Sequence, residues 1–303
     1  VQKYAIYQVD AFTRQAFKGN PAGVVPDARG LSASSMQCMA REMNKSETAF
    51  VFPSNDPGGD VEVRFFTPTA EVPICGHATI AAHYVLAEEG LPLGTRRQQT
   101  AAGILSVDSE IFDGAVRIWM HQQPGHFSPP LDDAPLNASL EALGLAVSDL
   151  DARGPVQIVS TGHSKVIIPV RKRSSIANLR PDMDALSRLS LQIGCNGYYV
   201  WSADNPDFGN LTHGRMFAPS IGIPEDPVTG NASGCLGAYL VHHGLLSVNA
   251  IGVASFYAGQ GLEVGRPGRV LVEATRARSK GTIAIRIAGE AVITLRGEMV
   301  APL

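Results

Sequence analysis

Short runs of alternating apolar and polar residues dominate the chain and predict a strand-rich fold. The pattern predicts strands over residues 4–9, 23–25, 48–52, 61–66, 104–107, 116–120, 157–160, 165–170, 269–274, 283–287 and 291–295. Helical periodicity is rarer. Ser32 is placed to cap a helix reaching about Asn44, with Met36, Met39, Ala40 and Met43 on one face. Asp182 to Ile193 shows the same spacing through Met183, Leu186, Leu189 and Ile193. Two further helices, His77 to about Leu86 and Asn231 to about Val241, are apolar almost all round. A helix with no polar face is buried on all sides, so each is expected inside its own sheet. A proline-rich stretch, residues 124–135, is expected to be a linker between two halves.

The halves repeat one another. Arg64-Phe65-Phe66-Thr67-Pro68-Thr69 leads into Cys75-Gly76-His77-Ala78 and the first apolar helix. Arg215-Met216-Phe217-Ala218-Pro219-Ser220 leads into Thr229-Gly230-Asn231-Ala232 and the second. Upstream, Glu47-Thr48-Ala49-Phe50-Val51 aligns with Asn196-Gly197-Tyr198-Tyr199-Val200. Three matches in one order point to a duplicated strand–strand–loop–helix unit. Two related domains are expected to leave a cleft between them for a small ligand.

The repeat sets a glycine loop at the start of each apolar helix, where free N–H groups and a partial positive charge attract anions. Gly76 and Cys75 in the first half, and Thr229, Gly230 and Asn231 in the second, are therefore candidate substrate-binding residues. Such loops hold a carboxylate or stabilise a carbanion. Glu47, at the start of an apolar strand, is the candidate base, since a half-buried carboxylate has a raised pKa. The competing reading is a solvated residue at a strand end. Asp226 is the second candidate, with helix capping as its ordinary alternative. His77, at the glycine loop, is a candidate donor or proton shuttle. Glu225 is expected in solvent, and His163 is a weaker candidate. Cys75 at a helix start could carry a depressed pKa and run a racemase. That mechanism wants a second thiol, and Cys235 falls a turn inside its helix.

Composition narrows the rest. The chain has 303 residues, 45% hydrophobic and 17% charged, enough for two cores and unlike a disordered chain. A net charge of −3 gives no reason to expect nucleic acid or an anionic membrane. No apolar run approaches a membrane span, and the opening residues lack the pattern of a signal peptide. Four scattered cysteines without a CxxC pair argue against a zinc site of usual spacing and against a disulfide framework. A cytoplasmic setting is expected.

Several segments carry a resemblance when taken together. They are Val9-Asp10-Ala11-Phe12-Thr13, Gly19-Asn20-Pro21-Ala22-Gly23-Val24, Ser46-Glu47-Thr48-Ala49-Phe50, Phe66-Thr67-Pro68 with Cys75-Gly76-His77-Ala78-Thr79, and Glu225-Asp226-Pro227-Val228-Thr229-Gly230-Asn231-Ala232. In this order they resemble the PhzF family of phenazine-biosynthesis-like proteins, its YddE branch in particular. The resemblance covers nearly the whole chain. It implies an α+β fold like that of diaminopimelate epimerase, with two similar barrel-like β domains each wrapped around a central helix. The domains would be 1–123, completed by the C-terminal segment from about 285 to 303, and 132–284. It implies an isomerase that shifts a proton without a metal or organic cofactor, and a homodimer. Glu47 becomes the acid–base residue, and Asp226, His77, Gly76 and Gly230 map onto binding and assisting positions. The related epimerases use a cysteine pair, and Asp226 stands where the second would be needed. The alternatives are a carboxylate-binding protein without turnover, and an amino-acid racemase or epimerase using Cys75.

Overall fold

The computed structural model describes residues 2–204, 207, 209–277 and 281–301. The chain divides into two compact units, Val1–His121 with Ala288–Leu303, and Gln122–Ile287.

The first unit carries β1 (Lys3–Ala11), β2 (Asn20–Val25), α1 (Ala33–Met43), β3 (Thr48–Pro53), β4 (Val61–Phe66), β5 (Glu71–Val72), α2 (Gly76–Glu88), β6 (Gly94–Thr100), β7 (Gly103–Phe112) and β8 (Ala115–His121). The pairings run β1–β2–β3–β4–β6–β7–β8, with β2–β3 and β4–β6 parallel. The last strand of the chain, residues 283–300, pairs with both β8 and β1 and so closes an eight-stranded barrel. α2 contacts β1, β2, β3 and β8, and its residues 77–83 are all buried. This is the environment that its lack of a polar face demands. α1 follows the expected pattern: Ser32 accepts from the Ser35 N–H, Asn44 ends it in the left-handed region at φ 48°, and Met36, Met39 and Ala40 are buried. They pack against Phe50 and Phe66, whose rings meet edge to face at 5.5 Å.

The second unit carries β9 (His126–Pro130), α3 (Asp133–Leu143), β10 (Gln157–Ser160), β11 (Ser164–Pro169), α4 (Arg173–Ala177), α5 (Met183–Ile193), β12 (Tyr198–Ser202), β13 (Thr212–Ala218), β14 (Ile223–Asp226), α6 (Gly230–His242), β15 (Val253–Gln260) and β16 (Gly268–Arg276). Its ladder runs β9–β10–β11–β12–β13–β15–β16, with β11–β12 and β13–β15 parallel, the same alternation as in the first unit. α6 packs on β10, β11 and β16 and is buried along nearly its whole length. α3 and α5 cover the β11–β12 region through Leu140, Leu143, Leu186 and Leu189.

Two expectations need correction. Residues 124–135 are not a linker, because they hold β9 and the first turn of α3. Pro130 lies beside a register shift in the pairing with β10, and Pro135 falls in a first helical turn, both places where a missing N–H costs little. Residues 283–287 and 291–295 belong to one strand, β17 (Ile283–Val300). Gly289-Glu290 looked like a break. Glu290 is instead buried against Arg117 of β8, its Oε1 accepting from Nη2 at 2.6 Å and from Nε at 3.0 Å.

A buried polar chain runs along α2. His83 Nε2 lies 2.8 Å from Gln98 Oε1, Gln98 Nε2 donates to Thr79 Oγ1 at 3.2 Å, and Thr79 Oγ1 donates to the Cys75 carbonyl at 2.7 Å. Burial pushes the His83 pKa down to about 4. The unfolded chain takes up this proton near the ordinary 6.5 and the folded chain only near 4. Stability attributable to His83 is therefore complete above pH 6.5 and declines as pH falls toward 4. At roughly 1.4 kcal/mol per unit the loss is on the order of 3 kcal/mol. Urea midpoints at pH 7.5 and 4.5 should show a smaller acid loss for His83→Gln than for the unaltered chain. Equal losses would assign the acid sensitivity to other groups.

Candidate active site

Asn44 stops α1, Lys45 and Ser46 turn the chain, and Glu47 stands immediately before β3. The Gly23 N–H binds the Glu47 carbonyl at 3.0 Å, which fixes the residue at the start of the parallel β2–β3 pair. Glu47 is only 8% exposed. The solvated alternative is thereby removed for this carboxylate. Cys75 is the N-cap residue of α2, without a side-chain cap bond, and His77 is the second residue of the helix. A Cβ on Gly76 would meet nothing nearer than the Met120 sulfur at 3.9 Å. Packing within the chain does not demand glycine there, which leaves open space beside the helix start.

Glu47, Cys75 and His77 come together. His77 Nε2 lies 3.3 Å from Glu47 Oε2 and 3.1 Å from Ser46 Oγ, and its Nδ1 lies 3.4 Å from Cys75 Sγ. The His77–Glu47 approach is within ion-pair range but off the hydrogen-bond direction. Among the described residues, Glu47 Oε2 is buried with no hydrogen-bond partner. Burial pushes the Glu47 pKa up, and hydrogen bonding from the Ser46 and Cys75 side chains draws it part of the way back. A carboxyl group with a raised pKa and an uncommitted oxygen is a candidate for giving and taking a proton. The three ligand atoms also lie within 4.8 Å of one another. Thiolate, imidazole and carboxylate are zinc-type donors, so the trio could in principle grip a metal ion.

The second unit places Asp226, Thr229, Gly230 and Asn231 around the start of α6. Thr229 is the N-cap residue, its hydroxyl donates to Asp226 Oδ2 at 2.5 Å, and its N–H donates to Gln260 Oε1 at 3.1 Å. Asn231 Nδ2 donates to Thr161 Oγ1 at 3.1 Å, while Asn231 Oδ1 is buried without a partner among the described residues. Cys235 lies a turn inside α6, fully buried, with its thiol pushed up by burial. His163 is exposed, and its carbonyl lies 3.6 Å from the Cys235 sulfur. Glu225 is not solvated: Arg215 holds it with two bonds of 2.8 Å.

The strand registers sharpen the internal repeat. Thr48 faces Gly23 and Phe66, and Tyr198 faces Val166 and Phe217. Thr48 therefore corresponds to Tyr198, and Glu47 to Gly197, one residue later than the sequence alignment places it. Phe65 faces Val72 and Met216 faces Asp226, so Asp226 corresponds to Val72. The counterpart of Cys75 is the other N-cap, Thr229, and not Asp226 as the family resemblance had implied.

The profile of the phenazine biosynthesis-like (PhzC-PhzF) family matches residues 9–297. The chain belongs to the PhzF family. It is 48% identical to an uncharacterized isomerase of Clostridium acetobutylicum over 301 residues, 99% of each chain. It is 46% identical to the uncharacterized isomerase YddE of Escherichia coli K12 over 297 residues, 98% of each. The trans-2,3-dihydro-3-hydroxyanthranilate isomerase of Pseudomonas aeruginosa is 31% identical over 295 residues, covering 95% of this chain and 96% of that one. Among solved structures, the PhzF-family phenazine biosynthesis protein of Bacillus anthracis superposes with a TM-score of 0.90 at 31% identity, covering 99% and 100%. A hydroxyproline epimerase of Agrobacterium vitis shares the fold alone, with a TM-score of 0.63 at 13% identity over 99% of this chain and 91% of that one. PhzF membership places the chain among the isomerases and fixes its α+β fold as two similar barrel-like domains around central helices. No helix among the described residues is long and apolar enough to cross a membrane.

Proposed function

We propose that the chain shifts a proton on a small carboxylate-bearing metabolite, without a cofactor, and that Glu47 is the acid–base residue. The observation that carries this reading is the Glu47 carboxylate, buried, raised in pKa and with Oε2 uncommitted beside His77. Glu47 takes the proton from one carbon and returns it to another. His77 steadies the carboxylate, and the partial positive charge at the start of α2 stabilises the negative charge that develops on the substrate. Asp226, Thr229, Gly230 and Asn231 are the candidate binding residues of the second unit. The anthranilate named for the Pseudomonas relative carries a carboxylate, and it sets the first compound to try.

The test is turnover of trans-2,3-dihydro-3-hydroxyanthranilate and a panel of small hydroxy and amino acids in deuterated water, using protein dialysed against EDTA. Isomerisation with solvent deuterium at the newly protonated carbon is expected. Absence of both turnover and exchange across the panel would favour a binding protein that has lost catalysis.

The racemase reading draws on Cys75 at the helix start beside His77. A two-thiol mechanism wants a partner at the matching N-cap, and Thr229 occupies it. Cys75→Ser should accordingly keep turnover within about tenfold, since serine preserves a hydrogen bond to the carboxylate. A loss comparable to that of Glu47→Gln would transfer the base role to the thiol.

A further inference from the structure

The position in the second unit that corresponds to Glu47 is closed to side chains. A Cβ on Gly197 would lie 2.9 Å from the Phe217 carbonyl oxygen and 3.2 Å from the Ala218 methyl. The neighbouring strand fills the slot instead. Lys165, at the start of β11, passes its Cδ within 3.4 Å of where that Cβ would stand. The corresponding residue of the first unit, one before Gly23, is the small Ala22.

Lys165 is 4% exposed. Its ammonium has three donors, and its one hydrogen bond among the described residues goes to the adjacent Ser164 carbonyl at 3.1 Å. It makes no ion pair among the described residues. Burial draws its pKa down, and the electrostatic influence of Cys235, Cys195 and Asp226 draws it part of the way back. Asp226 already accepts the Thr229 hydroxyl. A buried amine without a counter-ion is costly to keep charged, and an anion arriving from outside would supply the missing partner. β11 packs on α6, whose first turn brings free N–H groups and the unpartnered Asn231 Oδ1 to the same unit.

We propose that Lys165 is the anion-binding residue of the second unit and that its side-chain nitrogen receives the carboxylate of a small ligand. The assignment rests on the reading of the chain as an isomerase of small carboxylates.

The experiment compares 3-hydroxyanthranilate with 2-aminophenol, which lacks the carboxylate, by calorimetric titration and thermal melting. The unaltered protein should bind the carboxylate and discriminate against 2-aminophenol. Lys165→Met should melt higher than the unaltered protein without ligand, because a buried polar group with a single partner has gone, and should bind 3-hydroxyanthranilate at least about tenfold more weakly. Lys165→Gln gives a second uncharged variant with the same expected loss of affinity. A structural lysine would behave in the opposite way, with a lower melting point and unchanged affinity. Affinity within threefold in both variants, or an unaltered protein that does not distinguish the probes, overturns the assignment. The proton-transfer reading fails separately: retention of solvent exchange by Glu47→Gln would sink it and leave the Lys165 binding result standing.

Discussion

Glu47→Gln should lower turnover by about 10²–10⁴-fold, the usual contribution of a positioned general acid–base group. Glutamine keeps the shape and part of the hydrogen-bonding capacity, so small carboxylates should bind within about threefold of the unaltered protein. The loss then lies in the rate and not in the affinity, which separates an acid–base role from a structural one. The pH profile gives a second check. Burial raises the Glu47 pKa, so the basic form is lost as pH falls through a midpoint above the ordinary carboxylate range. The acid limb of the rate profile should carry that midpoint, and the glutamine variant should lack it. The same burial makes ionised Glu47 a burden on the fold, so the variant should melt no lower than the parent. A variant of normal stability that turns over within threefold of the parent would remove Glu47 from the mechanism.

The largest effect on stability is expected at Arg117. Arg117 and Glu290 are 3% and 4% exposed, and Arg117 also lies over the Phe112 ring at 3.6 Å. Arg14 reaches the same Glu290 oxygen at 3.5 Å but is itself partly exposed. Among the described residues, Arg117→Met would leave the Glu290 carboxylate buried with only that weak partner. Removal of one member of a buried pair costs about 3–5 kcal/mol, whereas replacement of both by apolar groups can be neutral. Arg117→Met should therefore lower the urea midpoint sharply, and Arg117→Met with Glu290→Met should recover most of the loss. A single variant that unfolds within 1 kcal/mol of the parent, a bound well under the cited range, would show that water or Arg14 already satisfies the carboxylate.

Much of this architecture was visible in the residues for identifiable reasons. α1 and α5 announce themselves through Ser32, Asp182 and regular apolar spacing, and the caps form as expected. α2 and α6 lack a polar face, and that lack is what placed each inside its sheet. β6 was illegible because GTRRQQT carries almost no apolar signal; only its pairing with β4 and β7 makes it a strand. Glu47 and His77 could be nominated separately from the sequence, but their approach depends on how β3 and α2 sit in the same barrel. Lys165 was hidden within an apolar strand pattern. Its meaning emerged only when the strand registers moved the repeat by one residue and brought Gly197 opposite Glu47.

β17 has a consequence for biosynthesis. β1 begins at Lys3, yet its partner in the ladder reaches Val300, so the first barrel is closed by a strand that lies beyond the second unit in the sequence. While the ribosome is still adding the second unit, β1 and β8 have emerged but lack the strand that seals them. Their open edges are the kind that associate with other nascent chains. The second unit is nearly all translated by then, so it should mature first and the N-terminal barrel last. Truncation after Ile293, within β17, should consequently damage the half that was made first.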